Sequence, residues 1–196
     1  MLELTGRRLV GCALAMIGLL ALAAPEAHAL DVWMPETGDV TLEDLPRDSA
    51  EERFRHAAAL ISAGQAKSGV VQLRKLLKDY PNAEWAERAR YLLALGEFVQ
   101  GNYEEAFEQW RQFVALYPDS KAAHAALEMQ LVTARMYTLE EDMHGGLLLF
   151  DSLMALAPNE EFEARCQKER ADAVLEAGDP MLANQEYLVL IDQYPD

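Results

Sequence analysis

Residues 101–118 read GNYEEAFEQWRQFVALYP, and the outline of this stretch occurs three more times along the chain. The prolines that close each occurrence are spaced 37, 40 and 37 residues apart, at Pro81, Pro118, Pro158 and Pro195. Seventeen residues before the prolines stand Gly64, Gly101, Glu141 and Gly178. Seven residues before that set stand four alanines, Ala57, Ala94, Ala134 and Ala171. A period of this length indicates stacked structural repeats.

Each repeat is predicted to contain two helices, because glycine favours the turn between them and proline ends the second one. The first helices are predicted over residues 50–62, 84–99, 120–138 and 160–176, and the second helices over 66–79, 103–116, 143–156 and 180–193. Ala106, Trp110 and Phe113 follow the 3.6-residue period of a helix with one buried face. The sequence therefore predicts an all-α fold of about four helix-turn-helix repeats over residues 50–196.

Two further register positions support helix packing. One carries small residues where two helices would cross closely, namely Gly69, Ala106, Gly146 and Ala183. The other carries large residues predicted to fill the gap to the next helix, namely Leu73, Trp110, Phe150 and Tyr187.

The run Gly101-Asn102-Tyr103-Glu104-Glu105-Ala106, with Ala94 before it and Pro118 after it, resembles the tetratricopeptide repeat (TPR). The resemblance covers about residues 50–196 and departs in the third repeat, which has Glu141 for the turn glycine and three extra residues. The spacing is similar to that of bacterial cell-envelope TPR proteins, of the Tol-associated periplasmic and outer-membrane assembly lipoprotein type. The resemblance implies a right-handed α-solenoid of TPR-like repeats that binds other proteins.

The start of the chain has the pattern of a cleavable secretory signal over residues 1–29, with cleavage before Leu30. Arg7 and Arg8 precede an apolar run over residues 9–24, and Ala27-His28-Ala29 supplies the cleavage motif. A membrane anchor would need roughly 20 apolar residues. Cys12 follows a lipobox-like run, but most of the apolar stretch comes after it, which is the wrong order for a lipid attachment site. Residues 30–49 are predicted to be an acidic flexible linker, and the mature chain is predicted to be periplasmic or secreted.

Charge and side-chain chemistry exclude several functions. The net charge of −16 disfavours nucleic acid and anionic lipid as partners, so we expect no nucleic-acid binding and no membrane insertion after signal cleavage. Cys166 is the one cysteine left after cleavage, so no intrachain disulfide can form. The histidines have no metal-ligand spacing, and the acidic pairs lie at helix starts. The sequence predicts no enzyme activity, no cofactor and no metal.

The concave face of the first helices is the predicted binding groove for a protein or peptide of the cell envelope. Its candidate residues are Phe54, Arg88, Tyr91, Leu95, Phe98 and Arg135. The alternative for Phe54, Tyr91 and Phe98 is a place in the core between helices. Two other functions remain open: a non-catalytic repeat module of a larger, C-terminally extended envelope protein or enzyme complex, and a carrier of small molecules or glycans.

The last predicted helix carries a broad apolar surface. This surface includes Leu188, Val189 and Ile191, and it is too wide to be buried against one neighbouring helix. We expect this surface to be covered by a further capping helix of the natural chain or by another protein, self-association through the C-terminal repeat included.

Overall fold

The computed structural model describes residues 49–195. The predicted signal peptide (1–29) and the predicted linker (30–49) up to residue 48 lie outside this range. Two compact units are present: residues 49–102 with 117–123, and residues 103–116 with 124–195.

The first unit contains three helices, α1 (Ala50–Ser62), α2 (Ala66–Asp79) and α3 (Ala86–Val99). The second unit contains α4 (Tyr103–Leu116), nearly all of α5 (Ala123–Glu140), α6 (Met143–Met154), α7 (Glu160–Glu176) and α8 (Pro180–Gln193). We call α1, α3, α5 and α7 the first helices, and α2, α4, α6 and α8 the second helices. The described residues contain no strand, so the predicted all-α class of paired repeat helices is confirmed.

The turns between paired helices use glycine where the sequence predicted it. Gly64, Gly101 and Gly178 have φ of 78°, 79° and 94°, a left-handed conformation that glycine adopts without steric penalty. The third turn has Glu141 in place of this glycine, and a side chain stabilises the start of the helix that follows. Asp142 there accepts hydrogen bonds from the backbone N–H groups of His144 (3.0 Å) and Gly145 (2.9 Å), which caps the start of α6.

Helix crossings depend on the predicted small residues. The four register alanines are fully buried. A Cβ atom on Gly69 would lie 2.9 Å from the carbonyl oxygen of Ala57, so α1 and α2 could not cross as closely with a larger residue there.

The core of each unit is built from the apolar stripes of its helices. In the first unit, Phe54 of α1 packs with Leu73 of α2 and Leu92 of α3. In the second, Phe107, Phe150 and Phe162 share a cluster of buried residues. Leu73, Trp110 and Phe150 are fully buried, as the register predicted, whereas Tyr187 is only partly buried.

Candidate functional site

Five of the six predicted groove residues lie in the first unit, and three of these are interior. Phe54, Tyr91 and Phe98 are 1%, 5% and 6% exposed. Phe54 belongs to the core of the unit, and burial raises the pKa of Tyr91 to about 12. Their burial favours the core interpretation of these three side chains, and their role in binding stays a prediction.

Arg88 and Leu95 of α3 are the accessible members of the predicted set in the first unit. Arg88 is exposed, and Leu95 is half-buried against the core. The guanidinium carbon of Arg88 lies 4.9 Å from the centroid of the Trp85 ring. The Trp85 ring in turn lies 5.0 Å from the Phe54 ring. We call Phe54, Trp85 and Arg88 the Trp85 cluster. This cluster places a cation and a half-buried aromatic ring at the start of α3, which is a favourable cation–π arrangement.

Sequence analysis missed Trp85, although a signal was present. Trp85 stands directly before Ala86, the first residue of α3, and outside the register used for the apolar stripe. Arg88 follows it by three residues, and residues three apart on a helical turn are neighbours. Tryptophan and arginine are the residue types that most often anchor protein interfaces.

Arg135, the sixth candidate, lies in the second unit and is engaged in ion pairs. Its guanidinium donates hydrogen bonds to Glu169 (2.5 Å) and Glu176 (2.6 Å) of α7. Partial burial alone would lower the pKa of Arg135, but the hydrogen bond and the charge of Glu169 raise it overall. A partner would therefore have to compete with two carboxylates for this cation.

The other cations of α7 are paired as well. Arg165 donates to Glu128 of α5, Lys168 donates to Asp172 at 2.8 Å, and Arg170 forms salt bridges with Asp151 and Glu186. Burial works against ionisation of Asp172, yet hydrogen bonds from Lys168 and Tyr187 lower its pKa. The positive charges of α7 are thus neutralised by acidic residues of the same unit.

The cysteine and the acidic residues that could carry out chemistry have surroundings typical of residues that stabilise a fold. Cys166 is fully buried, and burial raises the pKa of its thiol to about 12, so the nucleophilic thiolate is scarce at neutral pH. Glu140 accepts a hydrogen bond from the hydroxyl of Tyr103 at 2.8 Å. Within residues 49–195, His, Cys, Asp and Glu form no group of three that could hold a metal ion. None of the helices in that range is both long and apolar enough to cross a membrane.

The paired repeat helices and an accessible aromatic–arginine cluster define a class of protein, the helical-repeat scaffold for protein–protein interaction. Residues 46–196 match the model of the YfiO family, described as outer membrane lipoproteins. The chain belongs to this family, whose description is consistent with a location in the cell envelope.

Solved structures with TPR-like repeats were also found, and they are distant. Two are crystal structures of nearly identical TPR-like repeats from a protein of Podosopora anserina described as a putative kinesin light chain. One, a variant with a single substitution, has 16% identity and a TM-score of 0.48, and the match covers 95% of this chain and 89% of that one. The other has 16% identity and a TM-score of 0.49, and the match covers 97% and 89%. None of the curated proteins compared with the chain matches it significantly.

Proposed function

We propose that the protein is a non-catalytic, periplasmic adaptor of the cell envelope that binds a segment of a partner protein along its first helices. The Trp85 cluster carries this proposal, because it combines an apolar ring with an exposed cation. The half-buried Leu95 lies on the same helix as Arg88. Membership of an outer membrane lipoprotein family supports the cellular setting.

The surroundings of the Trp85 cluster indicate the chemistry of the partner segment. Arg88 offers a cation that an acidic residue of the partner could meet, while Trp85 and Leu95 offer apolar contact. We therefore expect the partner to present an apolar anchor next to an acidic residue.

Site-specific photo-crosslinking in the native host tests this assignment. A photoreactive amino acid at Glu84, which is exposed beside Trp85, should give one discrete crosslinked product. Arg88→Glu in the same chain should weaken that product about ten-fold, because a reversed charge at an interface repels the partner's acid.

Val71 of α2 provides the matched control, since it is 46% exposed and lies on a second helix, whereas the partner is proposed to bind along the first helices. A photoreactive residue there should give no such product. Equal products from positions 84 and 71, or a product at position 84 that survives Arg88→Glu at full strength, would rule out the Trp85 cluster as the binding site.

Export is the second part of the proposal, and it rests on residues 1–29. The intact mass of the protein isolated from the envelope should correspond to a chain that starts at Leu30, since Ala27-His28-Ala29 places small residues where a signal peptidase recognises them. A mass that includes a lipid on Cys12 would contradict the proposed cleavage and would show processing as a lipoprotein. Retention of Met1 would contradict export by a cleaved signal.

A further inference from the structure

Helix α2 carries an exposed basic face. Lys67, Val71, Lys75 and Lys78 are exposed, and their spacing of four, four and three residues places them on one side of the helix. The buried residues of α2 lie on the opposite side. We call these four exposed residues the basic face of α2.

The net charge of α2 distinguishes it from the other described helices. It contains four Lys or Arg and one Asp, which gives a net charge of +3, whereas none of the other seven described helices has a net positive charge. The equivalent register positions of α4 hold Glu104, Glu108, Gln112 and Ala115. Pairing of the repeat helices therefore does not require a basic face at these positions.

The lysines of the basic face are not neutralised within the described part of the chain. Among residues 49–195, Lys67, Lys75 and Lys78 take part in no salt bridge. Arginines close to them in the sequence differ in this respect, since Arg53 pairs with Asp79 and Arg74 pairs with Glu97. The basic face thus presents three positive charges, with the apolar Val71 among them, to an acidic group outside residues 49–195.

The chain enters the first unit beside one end of the basic face. Arg53, near the start of α1, donates a hydrogen bond to Asp79, the last residue of α2. Its guanidinium carbon also lies 5.3 Å from the centroid of the Tyr80 ring. The start of α1, which is capped by Ser49, therefore lies next to the end of α2 that carries Lys78.

The residues that directly precede Ser49 in the sequence are strongly acidic. Residues 36–48, here called the acidic segment, contain five Asp or Glu and one Arg, which gives a net charge of −4. At about 3.3 Å per residue, this segment can extend roughly 43 Å from Ser49. Lys67 and Lys78 are separated by about 16 Å along the helix axis. The acidic segment is therefore long enough to pass around the end of α2 and to follow the whole basic face.

We propose that the acidic segment binds the basic face of α2 within the same chain. Its carboxylates meet Lys67, Lys75 and Lys78, and Leu42, which lies between acidic residues in the sequence, contacts Val71. Each exposed ion pair of this kind is weak. A tethered segment, however, is present at an effective concentration on the order of mM, so several weak attractions are sufficient.

The charge of the whole chain favours this occupant over an anionic membrane surface. A membrane would also meet the rest of a protein whose net charge is −16, and like charges repel. The contact goes beyond the proposed adaptor function and uses neither Trp85 nor Arg88. Its consequence is that an acidic partner can reach α2 only by displacing the acidic segment.

Disulfide formation in the protein purified from the envelope tests the proposal. Leu42→Cys and Val71→Cys together place one thiol in the acidic segment and one in the basic face without changing any charge. With oxidised glutathione as the oxidant, these thiols should form an intramolecular disulfide, seen as a faster band in non-reducing electrophoresis. The native Cys166 is fully buried and should take no part.

Leu42→Cys with His56→Cys provides the matched control. His56 is exposed on α1, seven residues after Ser49, so the acidic segment is long enough to reach it as well. A segment that meets both helices by chance would oxidise at similar rates in the two variants. The proposal predicts that the control pair reacts about ten-fold more slowly, because binding to α2 raises the effective concentration only at that face.

Charge reversal identifies the groups that hold the acidic segment. Lys75→Glu with Lys78→Glu should slow the disulfide between positions 42 and 71 about ten-fold, because two attractions become repulsions. Glu43→Lys with Asp44→Lys, added to that variant, should restore the rate. Circular dichroism should show unchanged helicity throughout, which separates lost binding from lost folding.

Several results would overturn the proposal. Equal rates for the pairs 42–71 and 42–56, or a rate that survives charge reversal, would mean that the acidic segment does not bind α2. A disulfide-linked dimer in place of the intramolecular product would assign the basic face to the acidic segment of a second copy. Slow oxidation of the pair 42–71, together with binding of the protein to phosphatidylglycerol vesicles, would assign it to anionic lipid.

Discussion

Trp110→Ala is expected to lower the free energy of unfolding by about 3–5 kcal/mol. Trp110 is 0% exposed, and it is the largest of the fully buried side chains. It occupies the register position that Leu73 and Phe150 fill in other repeats. Truncation removes most of the side-chain volume, and the surrounding helices can close the resulting cavity only in part. Urea denaturation followed by circular dichroism measures the loss, which should appear as a lower midpoint with an unchanged slope.

Trp85→Ala is the matched control for this prediction. Trp85 is the same residue type, but it is half-buried at the start of α3. The area that it removes from water is smaller, so its replacement should cost clearly less than that of Trp110. Equal losses for the two variants would show that the large-residue register does not determine stability.

The repeat pattern was sufficient to predict the helices, because their ends depend on local residues. Gly101 takes a positive φ that few other residues tolerate, and the prolines prevent the second helices from continuing. The largest difference is at the start of α5, which begins at Ala123 and not at residue 120. Smaller differences lie at two other helix ends. Helix α3 begins at Ala86 and not at residue 84, and α6 ends at Met154 and not at residue 156. In the third repeat, where glycine is absent, α5 extends to Glu140.

The candidate site was harder to predict, since a helical spacing of three and four residues serves both a core and a binding face. Phe54, Tyr91 and Phe98 have that spacing and prove to be buried. Arg135 also pairs with Glu169, which lies 34 residues away in the chain. Contacts of this kind depend on how two helices cross, and no pattern along one helix contains that information. The Trp85 cluster likewise joins α1 to the start of α3.

Gly146→Leu is expected to lower the free energy of unfolding by about 3 kcal/mol, and Gly146→Ala to lower it by a smaller amount. Helix propensity alone predicts the opposite sign, because alanine is favoured over glycine inside a helix by about 1 kcal/mol. Packing decides the outcome. A Cβ atom on Gly146 would lie 2.0 Å from Oγ1 and 2.7 Å from Cα of Thr138 in α5. A rotation of the threonine side chain could relieve the first contact, but only a shift of the α5 backbone could relieve the second.

Ser152→Leu provides the control on the same helix, because Ser152 is exposed. The same leucine there meets no packed neighbour, so the free energy of unfolding should change by no more than about 0.5 kcal/mol. Thermal and urea unfolding of the three variants against the wild type give the comparison. A Gly146→Ala variant more stable than the wild type would mean that propensity outweighs the contact with Thr138, and the close crossing of α5 and α6 would then be refuted.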